Sequence, residues 1–294
     1  MRVFVTGASG FVGSAVVEEL IRAGHSVLGL ARSDGAADAL TRMGAQVHRG
    51  DLSDPKGLSL AALECDGVIH TAYNHDFSQF AAAGEMDRRV VEALGEALAG
   101  PGMPLVITSA IGLLTPGQPT TEDDAGASTS PGAVRIPSED TALALTSAGV
   151  RSSVIRLPLM VHDRTKQGLA TRLIGLAQQT GISAYIGDGV NRWPAVHRFD
   201  TAYLYRLALE KGTAGSRFHA IAEDSIRLRE IAEIIGKILN VPVKAISPAK
   251  AAEHFGFLAY FVGSDFQSSS ARTKETLGWN PIHPGVIADL EPAA

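Results

Sequence analysis

The stretch Arg2 to Gly13, R-V-F-V-T-G-A-S-G-F-V-G, limits this chain most severely. Val3, Phe4 and Val5 form a short run of β-formers, as expected of a strand buried on both faces. Thr6-Gly7 breaks the run, and Gly7, Gly10 and Gly13 follow at three-residue spacing. From Phe11 the apolar residues Phe11, Val12, Val16, Val17, Leu20 and Ile21 lie on one helical stripe, and Gly24 is a natural stop. Strand, glycine turn and helix in that order make a phosphate cradle. Glycines admit a pyrophosphate to the backbone, and the helix N-terminus offers N–H groups and a positive dipole. Gly7, Ser9, Gly10, Phe11, Val12 and Gly13 are therefore expected to hold a dinucleotide. The fold implied is α/β, a doubly wound parallel sheet.

The spacing T-G-x-x-G-x-x-G, at Thr6 to Gly13, resembles the short-chain dehydrogenase/reductase superfamily, specifically its extended and atypical NAD(P)-dependent epimerase/dehydratase-like branch. Two later motifs extend the resemblance over nearly the whole chain: Arg156-Leu157-Pro158, and Leu277-Gly278-Trp279-Asn280-Pro281 near the C-terminus. It implies a Rossmann domain over 1–157 and a smaller C-terminal substrate-binding portion over 158–294, with about 190–212 returning to the first domain.

Composition is that of an ordinary globular protein: 294 residues, 45% hydrophobic and 19% charged, with a net charge of -5. Nothing suggests nucleic acid as a partner. A single cysteine, Cys65, excludes an internal disulfide framework, and no metal site is expected. No apolar run approaches a membrane span, and a charged second residue followed at once by a strand does not fit a signal peptide. The expected setting is cytoplasmic, with a small-molecule substrate as partner and a homodimer as an open option.

Ser26 to Ala31 reads as the second strand, followed by Arg32 and Ser33 instead of the acidic residue that would hold a ribose 2′-hydroxyl. A guanidinium fork and a hydroxyl suit a 2′-phosphate, so NADP(H) is expected over NAD(H), with NAD(H) left open. Gln46 to Arg49 reads as the third strand. By resemblance, Asp51 and Leu52 contact adenine, and Thr71, Ala72 and Tyr73, closing a fourth strand over 67–72, lie beside the cofactor ribose. Pro158 lines the nicotinamide site. Leu105 to Thr108 reads as the fifth strand, Thr115 to Pro131 as a loop of the kind that forms lids, Ser138 to Ala148 as a helix capped by Ser138, and Lys166 to Gln179 as another helix.

Catalysis in the superfamily rests on a Tyr-x-x-x-Lys pair and a Ser or Thr after the fifth strand. Aligned on Ser138-x-x-x-Ala142-Leu143, the tyrosine and lysine positions here fall on Arg135 and Glu139, and the serine position on Ala110, just after Ser109. A carboxylate cannot lower a phenol's pKa, so Glu139 is expected to be dispensable. The catalytic candidates are then His75, as a general acid in the loop Asn74 to Phe77, Tyr73, Ser109, Arg135 as an anchor for an anionic oxygen, and His162. Trp193 is expected as a wall of the substrate pocket and His197 as its neighbour, although a buried, satisfied histidine is the stronger reading of His197. All five polar candidates (His75, Ser109, Arg135, His162 and His197) are expected beside the nicotinamide.

These features imply an NADP(H)-dependent oxidoreductase of a small cyclic or aromatic carbonyl or quinone-like compound, in the style of secondary metabolism. Two alternatives stay open: a redox-neutral or oxygen-using tailoring enzyme (isomerase, dehydratase or monooxygenase of a polyketide-like aromatic), and a non-catalytic NADP(H)-sensing protein.

Overall fold

The computed structural model describes residues 1–76, 79–100, 102–165 and 168–291. The first half alternates strand and helix: β1 (Arg2–Thr6), α1 (Phe11–Arg22), β2 (Ser26–Ala31), α2 (Asp34–Arg42), β3 (Gln46–Arg49), α3 (Pro55–Leu63), β4 (Gly67–His70), α4 (Phe80–Ala97) and β5 (Pro104–Ala110). Then come β6 (Pro119–Thr120), α5 (Ile136–Ala144), β7 (Arg151–Leu157), β8 (Met160–His162), α6 (Leu169–Thr180), β9 (Ser183–Ile186), β10 (Arg192–His197) and α7 (Arg198–Lys211). The chain closes with β11 (Ser216–His219), β12 (Glu223–Arg227), α8 (Leu228–Leu239), β13 (Val243–Ile246), α9 (Ala251–Phe255), α10 (Ala259–Gly263), β14 (Gln267–Ser268), α11 (Ala271–Leu277) and α12 (Val286–Leu290).

Seven strands form one sheet in the order β11-β7-β5-β4-β1-β2-β3, every pairing parallel. The order reverses at β1, where a doubly wound sheet opens its ligand crevice. Alternation along β1 decides the layers. Val3 and Val5 pack in one core with Ala15, Val16 and Leu20 of α1, Leu40 of α2 and Leu204 and Tyr205 of α7. Phe4 points the other way, into a core with Leu58 of α3, Val90 and Leu94 of α4 and Ala142 of α5. With both faces covered, the strands read as continuous apolar runs.

Beyond β7 the chain builds a second core around Met160, Trp193, Ile231, Phe255 and Phe266. Three small sheets frame it, ordered β12-β10-β8, β13-β9 and β14-β6. β11 then rejoins the main sheet beside β7, and α7 packs on α1. Trp279 of the L-G-W-N-P stretch is buried in the first core, its indole N–H donating to the Asp200 carbonyl at 2.9 Å.

Several local expectations are corrected. The segment 115–131 is more than a loop: β6 pairs with β14, and buried Glu122 accepts from the Thr273 amide at 2.8 Å and hydroxyl at 2.7 Å. These bonds strap it to the C-terminal portion. The helix expected from Ser138 begins at Ile136, with Pro137 in its first turn, where a fixed φ and a missing N–H cost nothing. The fourth strand ends at His70, not Ala72. Among the calls on α6 and on the loop after Tyr73, Lys166 and Phe77 lie outside the described residues. No helix among the described residues is long and apolar enough to cross a membrane, and none of their His, Cys, Asp and Glu side chains group to hold a metal ion.

Candidate active site

The cradle is built by three glycines with different tasks. Gly7 has φ of 67°, and a Cβ there would sit 2.7 Å from the Ala72 amide nitrogen and from Thr71 Oγ1. The turn therefore needs a residue that tolerates the left-handed region and leaves room for the end of β4. A Cβ on Gly13 would collide with the Gly7 carbonyl, so this glycine lets α1 close onto the turn. Gly10 is exposed, and its Cβ would meet only the Gly7 carbonyl, at 3.1 Å. Packing within the chain therefore asks less of Gly10 than of Gly7 and Gly13. Gly10 is also the N-cap of α1 and supplies no side-chain cap, which leaves the first N–H groups of the helix facing outward between exposed Ser9 and half-buried Phe11 and Val12. This arrangement fits a dinucleotide pyrophosphate.

At the far end of the cradle, Arg32 and Ser33 are exposed just past β2. The Ser33 hydroxyl accepts the Ala36 amide at 3.3 Å, capping α2. Asp51 Oδ1 accepts the Ser53 amide at 2.9 Å; this bond first, and then the nearby Arg32 charge, hold the Asp51 carboxyl below its usual range. Leu52 is half-buried against the core beneath. The one acid in the adjoining turn, Asp34, is tied to Arg49 at 2.6 Å.

The other end lies where β4 and β5 stop. Thr71 Oγ1 donates to the Thr6 carbonyl at 2.7 Å and the Ala72 amide donates to Thr6 Oγ1 at 3.3 Å, so Tyr73 emerges directly beside the glycine turn. The Tyr73 hydroxyl is buried and finds no acceptor among the described residues; the Arg135 guanidinium is the donor near it. Its ring meets the His75 ring edge-on, with centroids 5.4 Å apart, and the Arg135 guanidinium lies 4.0 Å from its centroid. Burial pushes the Tyr73 phenol up, and the Arg135 charge opposes it. His75 is solvent-exposed at its edge but closely surrounded; this desolvation, with the charges of Arg135 and Arg172, pulls its pKa down. Ser109 is buried at the end of β5, its Oγ without a partner.

Arg135 differs from its expected role. Far from being open to a substrate, it is 8% exposed, donates to the Thr108 carbonyl and pairs with Asp87 of α4 at 3.6 Å. Its remaining face lies on Tyr73. Glu139, expected to be dispensable, is also buried. It binds Arg156 through two hydrogen bonds and Arg217 at 2.6 Å, joining α5 to β7 and β11. Arg156 is thus turned into the protein, while Pro158 is buried between β7 and β8.

His162 and His197 do not join Tyr73. Their contacts run to α12: His162 Nδ1 lies 2.8 Å from Asp289, and His197 Nε2 lies 3.6 Å from the same carboxylate. His197 also stacks on His283 at 4.6 Å and accepts the Phe199 amide at 3.2 Å, capping α7. Burial first, then neighbouring His283 and His162 against the pull of Asp289, keep the His197 pKa low. Trp193 is fully buried in the second core and donates to the Phe261 carbonyl at 3.2 Å, so it is a core anchor and not a pocket wall. An aromatic this large in a strand buried on both sides has no free face to offer.

Sequence reasoning missed Thr6, His70 and Asp87, which lie under Tyr73. One signal was available: Asp87 falls on the apolar stripe of α4 with Ala83, Val90, Val91 and Leu94. A carboxylate on such a stripe needs buried partners.

Residues 3–221 match the NAD dependent epimerase/dehydratase family. An uncharacterized protein of Schizosaccharomyces pombe is 47% identical over 291 residues, covering 99% of this chain and 98% of that one. A sterol-4-alpha-carboxylate 3-dehydrogenase (decarboxylating) of Dictyostelium discoideum is 30% identical over 247 residues, covering 78% and 73%. Among solved structures, a dTDP-glucose 4,6-dehydratase from Streptomyces venezuelae with NAD bound superposes with a TM-score of 0.77 at 19% identity, over 99% of this chain and 96% of that one. At that identity the likeness is one of fold. Motif, sheet order and family match agree: the chain belongs to the NAD-dependent epimerase/dehydratase family and is an NAD(P)-dependent oxidoreductase of the extended short-chain dehydrogenase/reductase type.

Proposed function

We propose that this protein is an NADP(H)-dependent reductase of a small cyclic or aromatic carbonyl or quinone-like compound, with Tyr73 as the hydrogen-bond and proton donor to the substrate oxygen. One observation carries the reading: a buried phenol hydroxyl stands directly beside the glycine turn with no acceptor among the described residues, its polar neighbour being the Arg135 guanidinium, a donor. The hydroxyl's own proton is thus free for an acceptor that a ligand brings. Arg32 beyond β2 favours a 2′-phosphate, and the neighbouring Asp34, which would repel one, is neutralised by Arg49. A relative named as a dehydrogenase is consistent with chemistry at a carbonyl or alcohol. In this reading residues 1–157 hold the dinucleotide and 158–294 close over the substrate, with about 190–212 returning to the first portion.

The bound nicotinamide supplies a hydride to the carbonyl carbon. Tyr73 gives its proton to the carbonyl oxygen as charge develops there, and the Arg135 cation against the ring stabilises the phenolate left behind. His75, at the ring edge and reachable from solvent, takes a proton from water and passes it back to the phenolate. Ser109, one strand over, orients the oxygen. Quinones and conjugated carbonyls suit such a site, because they accept hydride with less help from an acid.

The test follows anaerobic NADPH oxidation with a quinone probe, 9,10-phenanthrenequinone, alongside dinucleotide titration. The parent protein is expected to reduce one quinone per NADPH without oxygen, and Tyr73→Phe to lower kcat about 10²-fold, the low end of the acid–base range because a quinone needs little protonation, with NADPH affinity retained. Full turnover by Tyr73→Phe removes the donor assignment. NADPH oxidation that stops when oxygen is excluded replaces the reductase reading with an oxygen-using one.

A further inference from the structure

A buried polar chain links the cofactor cradle to Tyr73. It starts at Thr6, the residue before the glycine turn. The Thr6 hydroxyl accepts the Ala72 amide at 3.3 Å and lies 2.6 Å from His70 Nδ1. His70 Nε2 lies 3.1 Å from Asp87 Oδ1. These bonds are mutually consistent with one neutral tautomer: Thr6 O–H donates to Nδ1, and Nε2–H donates to the carboxylate. The other oxygen, Asp87 Oδ2, is buried without a hydrogen bond and faces Arg135 at 3.6 Å. Arg135 in turn covers Tyr73.

Each link is deeply buried: Thr6 is 0% exposed, His70 1%, Asp87 2% and Arg135 8%. A fold seeking only stability gains little here, since a buried ion pair can be replaced by apolar packing at no loss. Charges in such a medium act strongly on a phenol a few ångströms away. Burial opposes ionisation of Asp87, yet Arg135 and the His70 hydrogen bond hold its carboxyl below the usual range, so the carboxylate is charged.

We infer that Asp87, held by His70 behind the Arg135 guanidinium, is a positioning residue whose charge offsets that cation's pull on Tyr73 and so sets how readily the phenol gives up its proton. Arg135 stands where relatives carry the catalytic tyrosine; here that position supplies the cation and the end of β4 supplies the phenol. The carboxylate behind the guanidinium tempers its field, which keeps Tyr73 protonated and ready to donate. The inference deepens the proposed function by adding the group that tunes its donor.

The test reads Tyr73 ionisation directly and needs no substrate. Full-length protein carrying 3-fluorotyrosine gives a ¹⁹F signal for each tyrosine, and the signal lost in Tyr73→Phe belongs to Tyr73. Asp87→Asn is expected to lower the Tyr73 midpoint by about one pH unit and Arg135→Met to raise it by a similar amount, the scale of a close charge on a titrating group. Asp87→Asn/Arg135→Met removes both charges and is expected to fall between them. If Asp87→Asn does not fold, Arg135→Met and the charge-compensated double variant carry the comparison, the double variant titrating below the single. Folded variants whose Tyr73 midpoint matches the parent protein overturn the inference. The two readings fail separately: Tyr73→Phe with full turnover removes the donor assignment even where the titration shifts are seen, and unmoved titration with a dead Tyr73→Phe removes only Asp87.

Discussion

Gly10 and Gly13 look alike in the sequence, yet their surroundings separate them. A side chain at Gly13 meets backbone that cannot retreat, whereas at Gly10 it meets one carbonyl in a tight approach of 3.1 Å and otherwise open space. Gly13→Ala is therefore expected to cost about 1–3 kcal/mol of stability, read as a lowered urea midpoint. Gly10→Val is expected to fold and to lose dinucleotide binding in calorimetric titration. Normal binding by Gly10→Val removes the pyrophosphate from this turn. Arg32 makes a second prediction at this scale. Arg32→Ala is expected to weaken NADPH binding by about 1.5–3 kcal/mol, the range for hydrogen bonds to charged groups, and to leave NADH nearly unchanged. Equal losses for both cofactors take Arg32 out of the site. The glycine turn was legible because backbone sterics within a few residues define it. The setting of Tyr73 was not, since it depends on Arg135, which packs on its ring from 62 residues further along.

Helix α5 shows how an element takes its charges inside a fold: Glu139 on it and Arg135 at its N-cap are both buried. Glu139 draws Arg156 of β7 and Arg217 of β11 to one carboxylate, and these salt bridges hold its carboxyl below the usual range despite burial. Glu139→Ala leaves Arg156, which is 0% exposed, as an unpaired buried charge. The expected cost is about 3–5 kcal/mol in chemical denaturation. Glu139→Gln, which keeps the shape and part of the hydrogen bonding, is expected to lose less. A Glu139→Ala variant as stable as the parent contradicts the keystone role. The sequence placed the start of α5 within two residues, but it does not say what a charged side chain on a buried face will meet. The partners sit 17 and 78 residues away in sequence.

At the scale of the molecule, the same corner carries a pH response. His219 is 0% exposed and donates from Nδ1 to the Ser269 carbonyl at 2.8 Å, while Arg156, Glu139 and Glu122 surround it. Burial, and then the Arg156 charge, lower its pKa from 6.5 to about 4. The unfolded chain takes up the proton first, so the stability this histidine contributes is full above about pH 6.5 and is lost as pH falls towards 4. At about 1.4 kcal/mol per unit, the loss approaches ~3 kcal/mol. His219→Asn, which can still donate to Ser269, is expected to flatten the pH dependence of the urea midpoint between pH 6.5 and 4.5; an unchanged slope assigns the response to other groups. What the sequence by itself determined is the alternation of strands and helices and the glycine turn that joins β1 to α1. Each of these depends on backbone sterics and on hydrophobic period within a few neighbouring residues. Only the tertiary structure decided that Trp193 anchors a core, that His162 and His197 turn to Asp289, and that Asp87 and Arg135 stand behind Tyr73. Those outcomes depend on which side chains meet across the fold, and burial makes such meetings obligatory for every charge taken inside.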